Sequence, residues 1–166
     1  MDRSLIIRNV NEQDSKTLEY LASVCPPLDV HTPYTYWVIC RYFSETSFIA
    51  EYDGIPVGYI TGIDNGTEVL VWQIGIVDEM RGKGLSGALI DKIVSLAEKN
   101  GRLIHVSIDK GNENSNSAFR SYCRSHRMKM VRQGSVSLSS LVNTDFSENE
   151  EYYSIEPISQ DDKGDE

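Results

Sequence analysis

The stretch Arg81-Gly-Lys-Gly-Leu-Ser-Gly87 places glycines at 82, 84 and 87, directly after the apolar run Val69-Leu-Val-Trp-Gln-Ile-Gly-Ile-Val77 and Asp78-Glu-Met80. Glycines let the main chain bend tightly and bring its N–H groups up to an anion. From Leu85 the period changes to helical spacing, with Ala88, Leu89, Lys92, Ile93 and Leu96 following, so the positive end of a helix faces the turn. The chemistry of such a turn is phosphate binding by backbone donors. Glycine turns also join strands to helices for steric reasons, and the turn by itself leaves both readings open. A second group of chemically capable residues, Asp29, His31 and Tyr34, gathers before and at a helix start signalled by Thr32-Pro33.

The elements that must position these groups can be read from the pattern. Residues 5–10 form a short first strand, and Asp14 or Ser15 caps a helix reaching about Val24, broken by Cys25-Pro-Pro27. An aromatic helix follows from Thr32-Pro33. Residues 47–52 and 55–63 form a hairpin around Asp53-Gly54. The central strand, its helix and a strand over 102–108 come next, then a helix from Asn112 to about His126. Weaker signals give strands over 128–131 and 150–155, with a loop over 136–145. Regular pairing of the central strand puts Trp72 and Gln73 on opposite faces. The order implies one α/β domain, a mixed sheet flanked by helices, over residues 1–156. Residues 157–166 are expected to be an acidic, disordered tail.

Composition narrows the partners. The 166 residues carry a net charge of −9, but residues 145–166 hold nine acidic groups against Lys163 alone, so the body is nearly neutral. No basic stripe with interleaved aromatics points to nucleic acid. No apolar run suits a membrane span, and no signal-peptide core follows Met1. Cys25, Cys40 and Cys123 lack metal or redox spacing and read as reduced thiols of a cytoplasmic protein. No metal site is expected.

The pattern Arg81-x-x-Gly84-x-Ser86 after an apolar strand resembles the pyrophosphate-binding turn of the GNAT superfamily of acetyl-coenzyme A-dependent N-acetyltransferases, whose last position is usually Gly or Ala. Asn112, Ser115 and Phe119 match the superfamily's Asn-x-x-Ala/Ser-x-x-x-aromatic pattern. The resemblance implies the GNAT acyl-CoA N-acyltransferase fold, mixed and mostly antiparallel. It also implies acetyl-CoA contacts from Ile74, Gly75, Ile76, Arg81, Gly82, Lys83, Gly84, Leu85, Ser86, Gly87, Asn112 and Phe119. Where Phe119 stands, many members carry a tyrosine that protonates the departing thiolate; Tyr122 lies one turn on. Arg120 and Arg124 read either as a solvated face or as contacts to the coenzyme's 3′-phosphate.

A narrower resemblance lies in Leu28-Asp-Val-His-Thr-Pro-Tyr-Thr-Tyr36 running to Cys40 and Phe43, in Val71-Trp-Gln-Ile74 and in Gly111-Asn-Glu113. These are similar to signatures of the L-2,4-diaminobutyric acid acetyltransferase family of ectoine synthesis, which provides a compatible solute for osmoprotection. His31 departs from that family's asparagine, and Ser147-Glu-Asn-Glu150 lacks its histidine while keeping an acidic position. The resemblance implies acetylation of a γ-amine, a homodimer, and a substrate site formed by Asp29, Tyr34, Trp72 and Glu150. An alkylammonium of pKa about 10 is neutral in roughly one molecule in a thousand at pH 7, so a proton acceptor must stand near it. Asp29, Tyr34 and Glu150 are the catalytic candidates on this reading: the carboxylates receive ammonium groups, and Tyr34 and Trp72 supply an aromatic wall. His31 reads equally as an exposed helix-start residue or as a base, Glu68 as a solvated edge position where several GNAT members carry a base, and His105 and His126 as surface or core groups rather than catalytic ones. A different small amine or polyamine as acceptor, and a module that binds acyl-CoA without turnover, stand beside this reading.

Overall fold

A computed structural model describes residues 4–137 and 149–159. The strands are β1 (Leu5–Asn9), β2 (Phe48–Tyr52), β3 (Ile55–Asp64), β4 (Glu68–Ile76), β5 (Leu103–Asp109), β6 (Met128–Ser137) and β7 (Asn149–Pro157). The helices are α1 (Ser15–Ser23), α2 (Pro33–Tyr42), α3 (Leu85–Lys99) and α4 (Glu113–Ser125). The strands make one sheet in the order β1-β2-β3-β4-β5-β7-β6. Every pair is antiparallel except β4 and β5, which run parallel because α3 carries the chain back over the sheet.

Each face of the sheet has its own core. On one, Leu89, Ile90 and Ile93 of α3 and Phe119 of α4 pack against Ile60, Val71 and Val106. On the other, Leu18 and Leu21 of α1 and Tyr36 and Ile39 of α2 pack against Ile49 and Tyr59. The β2–β3 turn places Asp53 at φ 51° and Gly54 at φ 77°, the left-handed pair of a two-residue hairpin. Arg8 fastens the sheet edge to α1, donating to Asp14 at 2.8 Å and to Glu51 at 2.6 Å.

The C-terminal strands are longer than local propensity indicates. β6 and β7 pair in register from Met128↔Pro157 to Ser137↔Asn149, and this cross-strand pairing extends both beyond the 128–131 and 150–155 segments. It also turns Val136 from the expected loop into strand. The Ile158 N–H bonds the Arg127 carbonyl at 3.0 Å, so ordered pairing passes the boundary expected at 156. Residues 138–148, with Ser147 and Glu148 of the departing signature, and residues 160–166 lie outside the described residues.

Candidate active site

The site begins with an irregularity in β4. Between Thr61 and Gly62 the β3–β4 register shifts, so Gln73 faces Thr61 while Val71 faces Gly62, and Trp72 is the extra residue. The Thr61 hydroxyl accepts the Gln73 N–H at 3.2 Å in place of a ladder carbonyl. Gly62 is required here: a Cβ would lie 2.8 Å from the Thr46 carbonyl oxygen. The bulge overturns the expectation that Trp72 and Gln73 face opposite ways. Both line one cleft.

Past the bulge the sheet opens. Parallel pairing of β4 with β5 runs only from Glu68↔Leu103 to Val71↔Val106. The Val77 N–H bonds the Val57 carbonyl on the β3 side, and the antiparallel alternation turns Ile74 and Ile76 toward the open edge. Arg81 Nε reaches back to the Ile76 carbonyl at 3.3 Å. Gly75 faces the helices, where a Cβ would come within 2.7 Å of the Tyr59 ring.

The glycine turn follows at once. Gly82 (φ 71°) and Gly84 (φ 81°) adopt left-handed backbone, and a Cβ on either, or on Gly87, would meet nothing within 4 Å. Gly84 caps α3 without a side-chain bond. The first helical bond, Ala88 N–H to Gly84 carbonyl, leaves the N–H groups of Leu85, Ser86 and Gly87 without an intrahelical partner. Donors, a helix terminus and open space above them make a cradle of the kind that suits a phosphate group. Ile74, Gly75, Ile76, Arg81, Gly82, Gly84, Leu85 and Ser86 line this cleft, with Asn112 and Ser115 across it. The Leu85 side chain is buried in the core, so only its backbone faces the cradle. Asn112 caps α4, its Oδ1 accepting the Ser115 N–H at 3.0 Å. Gly87 lines an extension between α3 and α4, whereas Lys83 lies on the far side of the turn, beside Tyr20 and Glu79.

A second cleft adjoins the first, sharing Leu28, Ile74, Asn112 and Ser115 with it. Asp29, His31, Trp72, Gln73, Phe119, Glu150 and Tyr152 line it. Gln73 organises one wall: its Nε2 donates to the Asp29 carbonyl at 2.9 Å and its Oε1 accepts the Tyr59 hydroxyl at 3.1 Å. The His31 ring sits 4.6 Å from that of Trp72, and the His31 N–H donates to the Tyr36 hydroxyl at 3.2 Å. Burial raises the Tyr59 and Tyr36 pKa values, which keeps both as hydroxyls.

The structure brings Asp29, Trp72 and Glu150 together but not Tyr34. That ring is 70% exposed and stacks on Trp37 at 5.6 Å, because α2 starts at Pro33 and its turn directs Tyr36 inward instead. Phe119 edges this second cleft while its side chain is 1% exposed in the core. Tyr122 packs elsewhere, donating to Asp91 at 3.1 Å and stacking on His126. Arg120 and Arg124 face a separate surface cleft with Lys110 and Arg132, around the helix from Ala118 and Ser121. Tyr36 and Tyr152 were missed by sequence reasoning. Period-two alternation from Glu150 would have found Tyr152. Tyr152 is stacked on His105 at 4.9 Å, and burial, then the Glu68 charge, raises its pKa. His105 Nδ1 approaches Glu68 Oε2 to 2.9 Å, off the line of a good hydrogen bond, so this buried atom has no well-directed partner.

Among the described residues no group of His, Cys, Asp or Glu could hold a metal ion, and no helix is long and apolar enough to cross a membrane. Residues 16–123 match the model of the acetyltransferase (GNAT) family. The L-2,4-diaminobutyric acid acetyltransferase of Streptomyces avermitilis is 30% identical over 139 residues, covering 80% of this chain and 78% of the relative. That of Shouchella clausii is 33% identical over 104 residues, covering 60% of this chain and 58% of the relative. Among solved structures, diaminobutyrate acetyltransferase EctA from Paenibacillus lautus, in complex with its substrate L-2,4-diaminobutyric acid and coenzyme A, superposes with a TM-score of 0.79. It is 22% identical, with 93% of this chain and 96% of that chain covered. Ard1 from Thermoplasma volcanium superposes at 0.74 and 18% identity, covering 93% of this chain and 99% of that one.

Proposed function

The chain belongs to the acetyltransferase (GNAT) family and, within it, to the L-2,4-diaminobutyric acid acetyltransferases, and on that premise we propose that it transfers an acetyl group from acetyl-coenzyme A to the γ-amine of L-2,4-diaminobutyrate. The product, N-γ-acetyl-L-2,4-diaminobutyrate, serves ectoine synthesis. The observation that carries this reading is the meeting of the two clefts at Ile74. A phosphate cradle and a carboxylate-lined cleft share that one stretch of open strand edge.

Acetyl-coenzyme A supplies a thioester carbonyl, an acyl donor matched to an amine. The N–H groups of Leu85, Ser86 and Gly87 hold its diphosphate, with Gly82 and Gly84 keeping the approach clear. Ile74 and Ile76 on the open edge donate to the oxygen on which negative charge develops. Asn112 and Ser115 border the far wall. Lys83 and Phe119, included with the coenzyme contacts on sequence grounds, fall outside this set: one lies behind the turn and the other in the core.

Asp29 takes the proton of the reacting amine, because its backbone is fixed to Gln73, next to Ile74. Glu150 pairs with the ammonium that is not acetylated. Trp72 supplies the aromatic wall. Tyr34 has no part in this arrangement. We place the reaction in the cytoplasm, which the three free cysteines support, and take the working form to be a homodimer.

Thiol release from acetyl-coenzyme A, measured with diaminobutyrate, ornithine, lysine and polyamines, tests the proposal. A preference for diaminobutyrate is expected. Equal or faster rates on the other amines would replace it with a broader amine acetyltransferase.

A further inference from the structure

The amine-side cleft is short of positive charge. Its described lining carries carboxylates at Asp29, Asp109 and Glu150 and no Lys or Arg. Residues 138–148 also contain neither. Asp109 is already engaged, its Oδ1 accepting the Gly111 N–H at 2.7 Å. Carboxylates suit the ammonium groups of a diamine. They repel the carboxylate that a diamino acid also brings.

Among the described lining residues, His31 alone can carry positive charge, and its ring N–H is a donor in either protonation state. Its place is fixed from two sides: the ring lies on Trp72 at 4.6 Å, tilted by 32°, and the backbone N–H is held by Tyr36 at 3.2 Å. Neither ring nitrogen is engaged by another described residue, so both are left for a ligand.

We propose that His31 receives the α-carboxylate of the amino acid substrate and so makes the site prefer a diamino acid over a plain diamine of the same length. The inference rests on the function proposed above. It makes His31 a specificity-determining residue that touches substrate at the end remote from the transferred group.

The test compares L-2,4-diaminobutyrate with 1,3-diaminopropane, which is the same molecule without its carboxyl group. Wild-type protein is expected to favour diaminobutyrate by about tenfold or more in kcat/KM. His31→Phe keeps a ring against Trp72 but has no donor. It should lower kcat/KM for diaminobutyrate by about tenfold or more, mainly through KM, with diaminopropane within about threefold of wild type. His31→Gln restores a donor and should recover part of the loss. Binding of acetyl-coenzyme A checks that each variant folds, and where His31→Phe does not bind it, the wild-type ratio and His31→Gln decide. A wild-type ratio near one, or equal losses on both amines in a variant that binds the coenzyme, would overturn the assignment. A wild-type protein that acetylates neither amine overturns the function proposed above, and this inference with it.

Discussion

The side-chain amide of Gln73 bonds the main-chain carbonyl of Asp29 at 2.9 Å, tying the loop before α2 to the bulged strand β4. The same amide accepts from Tyr59, whose hydroxyl is fully buried. Replacing Gln73 by Leu removes both bonds and strands the Tyr59 hydroxyl. Unfolding free energy should fall by about 1–3 kcal/mol in denaturant titration. The amine KM should rise while coenzyme affinity stays near wild type, because the cradle lies on the other side of Ile74.

Two substitutions should separate the clefts. Gly84→Val forces a branched side chain into left-handed backbone and into the open space above the cradle. Coenzyme affinity, read by calorimetry, should drop by about tenfold or more with little change in amine binding. Asp29→Ala should do the reverse and lower kcat/KM for the amine by about a hundredfold or more. Equal loss of both ligands in either variant would contradict the division of labour.

Cys25 lines the glycine-turn cleft beneath Gly75, and burial raises its pKa despite the opposing charge of Arg81. Cys40 is pushed up to about 12, also by burial. At pH 8 both are thiols rather than thiolates, so iodoacetamide should label neither until the chain opens. Saturating acetyl-coenzyme A should slow labelling of Cys25 further, with mass spectrometry as the readout.

At the edge of the sheet, burial pushes the Asp14 carboxyl up, but bonds from Arg8 and the Asn11 N–H outweigh this and hold its pKa below that of an ordinary aspartate. A depressed folded value means that the stabilisation is complete above the unfolded pKa and is lost as pH falls through the folded one. Asp14→Asn should therefore cost about 1–2 kcal/mol at pH 7. It should also flatten the acid limb of the stability curve below about pH 4.

Much of this was legible in the chain because it depends on local rules. Asp53-Gly54 specifies a hairpin, Thr32-Pro33 a helix start, and glycines at 82 and 84 a turn that only they can make. Tyr34 and Gln73 show where such rules stop. Tyr34 could be placed inward only by ignoring the 100° per residue that sends Tyr36 there instead. Gln73 could be placed only by knowing the bulge, beside which Gly62 packs so close to Thr46, sixteen residues away, that no larger residue fits and the Thr46 hydroxyl donates to the Gly62 carbonyl at 2.6 Å. The extent of β6 and β7 was likewise hidden, since each is stabilised by pairing with the other.

In the plane of the sheet, four register pairs between Glu68–Val71 and Leu103–Val106 join the first four strands to the last three as a seam. A ligand arm lying along Ile74 and Ile76 would lengthen that seam with its own amides. On the proposed function, substrate loading would then be a mechanical event, stitching the two halves of the sheet together for as long as the donor stayed.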